Sequence, residues 1–292
     1  MVANIITTHR CNLRCRHCYY INNLSMKDEA VGFENWRILE NKREKLDIDR
    51  FNFTGGEASL CPELISYFME CKQKNIDFSM FTNGIEVGSP MIDICNDFCV
   101  SVDGIGSIHD SVRNLEGAFE RTLRTLQELR EKDKKVHIQT TISRINIEHL
   151  NSLLELYVEM MPSLKSISLV AAVNQGNTFN NSISLNESEL IMIKDFKKEL
   201  LEKLHYHIFV KDNIFTLDQL GEFVLSSKSV FPIWIDLISG EVYVMTEEYK
   251  TDVKNLSLKW IYEQYEMIRK KIDRKLLQSN YELYLIENLL QN

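Results

Sequence analysis

The first 185 residues alternate between short runs typical of β-strands and longer amphipathic segments typical of helices. The strand-type runs are ANIITT, RFNFTGG, DFSMFTNG, FCVSVDG, VHIQTTIS and SISLVAAV. Between them apolar residues recur at spacings of three and four, as in GAFERTLRTLQELREKD. Strand runs with helices on both sides favour a parallel sheet, which right-handed crossovers coil into a barrel or a doubly wound sheet. The pattern therefore predicts an α/β fold of six βα units.

The alternation is expected to stop at the helix NESELIMIKDFKKELLEKL. Ser184 and Glu187 have the spacing of a capping box at its start. Further along, VFPIWIDLISGEVYVM contains two alternating runs around a Ser239-Gly240 turn, which predicts a small β-hairpin. The C-terminal part of the chain therefore differs in kind from the βα repeats.

A chain of 292 residues is long enough for one large domain with an extension. Residues 256–292 contain neither proline nor glycine and are predicted to be largely helical. We place the boundary near residue 185, with a βα core over residues 1–185 and a hairpin-plus-helix extension over residues 186–292.

Charge and hydropathy exclude several classes of protein. The net charge of −8 argues against a broad basic face for nucleic acid. There is no run of eighteen apolar residues and no secretory signal pattern at the N-terminus, so we expect no membrane association and a cytoplasmic location. The seven cysteines are odd in number and partly crowded, which favours metal binding or chemistry over a disulfide framework.

The distinctive short motifs all follow strand-type runs. The cysteine-rich stretch CNLRCRHCYY follows the first run, and TGGE, TNG and SVDG follow the next three. In parallel α/β folds the carboxyl ends of the strands form the functional edge. This shared position predicts that the motifs belong to one site.

Cys11, Cys15 and Cys18 have the spacing CxxxCxxC. Four thiolates complete an ordinary [4Fe-4S] cluster or a structural zinc site, so three leave one coordination position open. Zinc with His9 or His17 as the fourth ligand is an alternative, although a second CxxC knuckle, which such sites favour, is missing from the sequence.

The motif CxxxCxxC after the first strand, followed by Gly-Gly-Glu after the second, resembles the radical S-adenosylmethionine (SAM) superfamily. The resemblance extends over about the first 185 residues. It implies a (β/α)6 partial TIM barrel and a [4Fe-4S] cluster held by Cys11, Cys15 and Cys18. It also implies that SAM binds the open iron and is cleaved reductively to a 5'-deoxyadenosyl radical, which abstracts hydrogen from a substrate.

The same resemblance assigns further residues to SAM. Gly55, Gly56 and Glu57 take the role of holding the methionyl amino group, and His17 lies near the adenine. Four other residues are candidates for SAM contacts: Asn83, Ser101, Asp103 and Arg121. Of these, Ser101 and Asp103 are expected on one side of the fourth strand. Asn83 has a simpler interpretation as a turn residue before glycine.

Some polar and thiol residues are expected to have structural roles instead. Arg113 could meet a SAM carboxylate, but we favour a solvated charge on a helix. The remaining cysteines are expected to pack in the core or on helix faces: Cys61, Cys71, Cys95 and Cys99. The stretch ICNDFCV is expected to end a helix and enter the fourth strand.

The C-terminal hairpin resembles the SPASM or twitch extension of some radical SAM enzymes, but its cysteines are missing. Phe231 or its neighbours and Met245 stand where that extension has thiols, and no cysteine follows Cys99. The sequence therefore predicts one cluster per chain.

The substrate is the least determined feature. Members with such an extension often modify ribosomally synthesised peptides, and others act on sugars or small metabolites. The first strand begins almost at Met1, so we expect no fused N-terminal peptide-recognition domain. This removes one argument for a peptide substrate and leaves a separate peptide-recognition protein as a candidate partner. An electron donor such as flavodoxin or ferredoxin is the other expected partner. The substrate-facing loops are predicted at Ser143–Asn146 and Ala171–Asn177, with Asp236 and Tyr243 as candidate bases or quenchers. A zinc-stabilised, non-enzymatic binding protein is the alternative from another class.

Overall fold

A computed structural model describes residues 1–25, 32–160, 163–204, 208–216, 233–244, 246–276 and 283–285. The chain forms two compact units, each assembled from separate stretches of sequence. The first unit comprises Met1–Cys11, Ser25–Met80 and Phe215–Asn292, and the second comprises Asn12–Leu24 and Phe81–Ile214. The division at residue 185 follows position along the chain, whereas these units follow contacts, so that division stays a prediction.

The first unit contains the N-terminal βα repeats and the C-terminal hairpin. Its helices are α1 (Phe33–Lys42), α2 (Leu64–Gln73) and α9 (Leu258–Leu276). Its main strands are β1 (Val2–Ile6), β2 (Arg50–Thr54), β3 (Asp77–Thr82, with its last two residues in the second unit), β9 (Ile233–Asp236), β10 (Glu241–Val244) and β11 (Thr246–Asp252). Two short strands, β8 (Ile214–Thr216) and β12 (Leu283–Leu285), pair with each other.

The sheet of the first unit has the strand order β11-β10-β9-β1-β2-β3. β1, β2 and β3 are parallel, β9 pairs in parallel with β1, and the predicted hairpin of β9 and β10 is antiparallel around Gly240. Trp36 is fully buried against Phe51 and Phe53, and its indole nitrogen donates to Glu70 Oε2 at 2.8 Å. This aromatic core fixes α1 and α2 on β2, the strand that leads to the Gly-Gly-Glu motif.

The second unit continues the βα alternation. Its strands are β4 (Asp97–Ser101), β5 (Lys135–Ile142), β6 (Leu164–Ala171) and β7 (Phe209–Asp212). Its helices are α3 (Ser89–Ile94), α4 (Ser107–Arg113), α5 (Ala118–Glu131), α6 (Leu153–Met160), α7 (Gly176–Asn180) and α8 (Glu187–Lys203). All four strands are parallel, in the order β4-β5-β6-β7.

All six predicted strands are present, but the repeat extends further than expected. β7 follows α8 and pairs in parallel with β6, so the prediction that the alternation stops at this helix is wrong. β7 was missed because four residues are too few to show a clear alternating pattern.

Two local predictions also need correction. The capping box of α8 is formed by Asn186 and Glu189, not by Ser184 and Glu187; Asn186 Oδ1 accepts from Glu189 N at 3.0 Å. Both pairs have the same sequence spacing, so the pattern alone could not separate them. The tail is helical to Leu276, but β12 then forms a short strand. Phe231 and Met245 lie outside the described residues.

Candidate functional site

In the first unit the Gly-Gly-Glu turn packs on the segment that leads into the cysteine loop, which we define as residues 11–18. Gly56 N donates to Thr8 O and Glu57 N donates to Arg10 O, both at 2.8 Å. A Cβ on Gly55 would overlap Thr8 O, and a Cβ on Gly56 would overlap Arg10 O. The glycines are therefore required for a close approach between two stretches of backbone.

Glu57 places a carboxylate in the interior beside this contact. The residue is 2% exposed, and its Oε1 accepts from Ser59 N at 3.1 Å, which caps the 3-10 helix Ala58–Leu60. A buried carboxylate is favourable only with hydrogen-bond donors or a cationic partner. Glu57 therefore has the chemistry to hold an ammonium group.

A second contact in the first unit ties His9 to the C-terminal hairpin. His9 Nε2 lies 2.8 Å from Asp236 Oδ2, and Asp236 Oδ1 accepts from Ile238 N at 2.8 Å. Burial works to raise the pKa of Asp236, but the hydrogen bond and charge of His9 prevail and lower it. These contacts give Asp236 a fixed place in the hairpin turn. Tyr243, the other candidate base, is buried and stacks on Trp234.

In the second unit, a segment after β6 binds four consecutive carbonyl groups of the cysteine loop. We call this segment, residues 175–181, the clamp. The bonds are Asn177 Nδ2 to Cys15 O (3.0 Å), Asn181 Nδ2 to Arg16 O (3.0 Å), Thr178 Oγ1 to His17 O (3.0 Å) and Asn177 N to Cys18 O (2.9 Å). The clamp thus fixes the path of the loop while leaving its side chains to other partners.

Gly176 brings the clamp close enough to make these bonds. Its φ is +52°, and a Cβ there would lie 2.5 Å from Tyr19 O and 2.6 Å from Cys18 O. The predicted substrate loop Ala171–Asn177 therefore ends in residues that bind the cysteine loop. No motif identified this clamp, because side-chain amides and hydroxyls that bind backbone carbonyls have no required sequence spacing.

Arg113 lies beside Cys15 in the interior of the second unit. Its Nη1 donates to Cys15 Sγ at 3.8 Å, and its Nη2 lies 2.7 Å from Asp103 Oδ2. The Asp103 contact is a close ion pair whose angle falls short of a directional hydrogen bond. The side chain of Arg113 is 6% exposed, so the prediction of a solvated helix charge is wrong. The seven residues of α4 are too few to reveal a buried face by periodicity.

The second carboxylate oxygen of Asp103 and its backbone carbonyl also accept hydrogen bonds. Its Oδ1 accepts from Thr141 N, and its carbonyl accepts from Asn146 Nδ2, both at 2.8 Å. β4 ends at Ser101, so Asp103 lies beyond the strand on which it was expected. Ser143 and Asn146 are buried and their turn supports Asp103, and a substrate-facing role for this loop stays a prediction.

Two histidines adjoin this ion pair, His17 half-buried and His109 fully buried. His17 Nδ1 lies 3.8 Å from Asp103 Oδ2, and burial lowers the pKa of His17 to about 4. His109 Nδ1 accepts from Asp103 N at 3.1 Å, and burial, followed by the charge of Arg113, lowers its pKa to about 4. Both rings are therefore neutral near pH 7. His109 is a site residue that the sequence analysis missed, because no sequence pattern indicated its burial.

The cysteines of the loop are thiols that form no disulfide. Burial raises the pKa of Cys15, against a smaller opposite effect of Arg113, and burial with the nearby Cys15 raises the pKa of Cys18 to about 11. Binding a metal or cluster would therefore displace protons from both. Within the described ranges, no three His, Cys, Asp or Glu side chains are gathered as a complete metal site. The donor chemistry fits a thiolate-bound cluster.

The other residues predicted to contact SAM lie in different environments. Asn83 Oδ1 accepts from Ile85 N, which supports the interpretation as a turn residue, and Asn83 Nδ2 donates to Asn12 Oδ1 in the cysteine loop. Ser101 is half-buried at the end of β4. Arg121 has a 41% exposed side chain, 3.9 Å from Glu86. SAM binding by these residues stays a prediction.

The four cysteines outside the motif are buried, as predicted: Cys61, Cys71, Cys95 and Cys99. α3 ends one residue before Cys95 and β4 contains Cys99, in agreement with the interpretation of ICNDFCV. Cys61 follows the 3-10 helix instead of lying on a helix face.

The chain is similar in sequence to one family of proteins and to several individual relatives. The model of the Radical SAM superfamily matches residues 5–157, just over half of the chain. The chain is 30% identical to Fe-coproporphyrin III synthase of Methanosarcina barkeri over 213 residues, which is 68% of this chain and 51% of the synthase. It is 24% identical to the sporulation killing factor maturation protein SkfB of Bacillus subtilis over 153 residues, 51% of this chain and 37% of SkfB. The chain thus spans about half or less of these relatives.

A solved structure extends the similarity to most of the chain. SuiB of Streptococcus suis, bound to precursor peptide SuiA, superposes with a TM-score of 0.72 at 12% identity, over 90% of this chain and 64% of SuiB. Together with the mainly parallel strands, this confirms the predicted α/β partial-barrel fold. In the described part of the chain, no helix has both the length and the hydropathy to cross a membrane.

Proposed function

Because the chain belongs to the Radical SAM superfamily, we propose that it is a radical SAM enzyme that modifies a ribosomally synthesised peptide. The observation that carries the proposal is the match over residues 5–157, which includes three cysteines spaced CxxxCxxC. Members of the superfamily are enzymes that use a [4Fe-4S] cluster and SAM, in agreement with the predicted enzyme class and cofactors. Membership argues against the alternative of a zinc-stabilised binding protein.

In this proposal Cys11, Cys15 and Cys18 hold one cluster through three of its irons. When bound and reduced, the cluster supplies one electron that cleaves SAM to methionine and a 5'-deoxyadenosyl radical, which removes a hydrogen atom from the substrate. The chain contributes orientation and exclusion of water. Glu57 is assigned the methionyl ammonium group because its carboxylate is buried, and Gly55 and Gly56 allow the turn to approach.

The other SAM contacts are assigned by the family resemblance. His17 is suited to lie against the adenine because its half-buried ring is neutral. The polar contacts to the remainder of SAM are assigned to Asn83, Ser101, Asp103 and Arg121.

A peptide substrate is supported by two of the similar proteins. SkfB is named for the maturation of a killing factor, and SuiB was solved with a precursor peptide. We propose that the C-terminal hairpin of β9 and β10 serves as a substrate wall without a second cluster, since no cysteine follows Cys99. A flavodoxin or ferredoxin as electron donor, a separate peptide-recognition protein and a cytoplasmic location complete the proposal.

A small metabolite of the tetrapyrrole class is the second candidate. It is favoured by one observation, the 30% identity to Fe-coproporphyrin III synthase over 68% of this chain. A separate assay for each substrate distinguishes the two candidates.

The cofactor proposal is tested on anaerobically reconstituted protein. We expect about four iron atoms per chain and an electron paramagnetic resonance signal of a cubane that changes when SAM is added. Dithionite and SAM should release 5'-deoxyadenosine. Cys18→Ala should lose these properties, whereas Cys71→Ala, a thiol buried in α2, should keep the iron content. Iron near eight per chain would contradict the single cluster, and a signal indifferent to SAM would contradict the proposal.

The substrate class is tested by deuterium transfer. A short peptide encoded beside this gene, deuterated at its side chains, should transfer deuterium to 5'-deoxyadenosine in the reconstituted enzyme. The comparison substrate is a deuterated tetrapyrrole precursor of Fe-coproporphyrin III. Transfer from this tetrapyrrole alone would favour the second candidate.

A further inference from the structure

A buried arginine donates to the sulfur of one cysteine in the loop. Arg113 ends α4, and its Nη1 lies 3.8 Å from Cys15 Sγ. The residue after Cys15 is Arg16, and its backbone N donates to Val112 O at 2.9 Å, so the loop is also fixed to α4 through the backbone. The contact between Arg113 and Cys15 therefore has a defined geometry before any cofactor is considered.

The guanidinium is held on its other side by a carboxylate that cannot easily move. Asp103 is fully buried, lies 2.7 Å from Arg113 Nη2, and accepts from Thr141 N through its second oxygen. Arginine has a planar fork of donors, so one side chain can serve Asp103 and Cys15 at once. A lysine ammonium is a single point and lacks this geometry.

The charge of Arg113 acts in a site with little water. The Arg113 side chain is 6% exposed and Cys15 is 8% exposed, so solvent screens their interaction weakly. Asp103 offsets part of the field. What remains is a donor hydrogen of a cation directed at Sγ.

Hydrogen bonds to the sulfurs and local charge set the reduction potential of an iron–sulfur cluster. An electron supplied by an external reductant makes the cluster one unit more negative, and a nearby cation stabilises that state. We propose that Arg113, positioned by Asp103, raises the reduction potential of the cluster bound through Cys15, which makes Arg113 a positioning residue for electron entry. This inference rests on the proposed function.

The test is a reductive titration of the reconstituted enzyme without SAM, followed by electron paramagnetic resonance. Arg113→Gln should lower the equilibrium constant for one-electron reduction by about tenfold or more, which is about 59 mV or more in potential. Arg113→Lys keeps the charge and should show a smaller decrease. Arg124→Gln removes a matched charge from the exposed face of α5 and should leave the potential within about twofold in equilibrium constant.

The possible outcomes separate the inference from the proposed function. If Arg113→Gln holds full iron and matches the wild type within about twofold, the inference is overturned. If Arg113→Gln takes up no cluster, Arg113→Lys decides by the same measurement. If neither Arg113 variant assembles a cluster while Arg124→Gln does, Arg113 serves assembly and the inference is overturned. A wild-type protein that takes up no cluster overturns the proposed function itself.

Discussion

The two units hold their parts of the cysteine-containing segment by different means. In the first unit, backbone lies directly on backbone, where Gly55 and Gly56 contact Thr8 and Arg10. In the second, side chains of the clamp reach the carbonyls of the loop, and a buried ion pair stands behind Cys15. The first arrangement demands particular residues because nothing except glycine fits. The second depends on polar groups that are satisfied only in the folded chain.

The largest effect is expected from adding a methyl group at the backbone contact of the first unit. Gly56→Ala places Cβ on Arg10 O, which cannot yield without a backbone shift, so we expect a loss of about 3 kcal/mol or more in the free energy of unfolding. Urea denaturation of the apoprotein measures this. Gly88→Ala is the control, because its new Cβ would lie 3.7 Å from Pro90 Cδ, an ordinary contact. Equal stability of the two variants would remove the steric half of the comparison.

Acid should affect the buried polar contacts of the second unit. The pKa of His109 falls from 6.5 to about 4 on folding, so between these values the unfolded chain binds a proton that the folded chain does not. Stability present above about pH 6.5 should therefore decrease toward pH 4, by on the order of 2–3 kcal/mol from this group. His109→Asn keeps an acceptor for Asp103 N and should flatten the curve of unfolding free energy against pH. Parallel curves for variant and wild type would contradict this.

The first unit also contains one polar tie, and its removal sharpens the contrast. Asp236→Ala loses the contact with His9 Nε2 and the acceptor for Ile238 N, and we expect a cost of about 2 kcal/mol. Asp236→Asn can keep both contacts and should cost less than half as much. Thermal denaturation of the apoproteins separates the variants. Equal losses would show that charge, not hydrogen bonding, stabilises the hairpin turn.

The smallest effect is expected from one bond of the clamp. Asn177→Ala removes one donor to Cys15 O and should cost about 1 kcal/mol, because this carbonyl still accepts from Cys18 N. Hydrogen exchange of the loop amides should be about fivefold faster. Asn180→Ala is the neighbouring control, since that amide lies 3.4 Å from Asn177 Oδ1 and not on a loop carbonyl. Unchanged exchange in Asn177→Ala would mean that the loop is held without the clamp.

The same contrast explains what the sequence could predict. The Gly-Gly-Glu motif is visible because a close backbone contact accepts no other residue at Gly55 and Gly56. The six strands are visible because buried parallel strands need β-branched and aromatic runs. Asn177 and Thr178 stay hidden because their contacts are with backbone, which imposes no partner identity on the sequence.

Arg113 illustrates a second limit. An arginine on a helix is usually exposed, and only the fold shows that Asp103 and Cys15 meet it in the interior. The parallel pairing of β9 with β1 is similarly non-local, because a four-residue strand gives no indication of its partner. Sequence patterns specify local structure, whereas these contacts depend on long-range topology.

The place of β9 beside β1 gives the C-terminal hairpin a task that needs no metal ligand. Ala3 and Ile5 of β1 pair with Ile233 and Ile235 of β9. β9 therefore covers β1, which would otherwise be an open, apolar strand at the margin of the sheet. Deleting the hairpin would leave that margin free to recruit another chain, and self-association would follow. Thiols can thus be absent from this hairpin without making it dispensable.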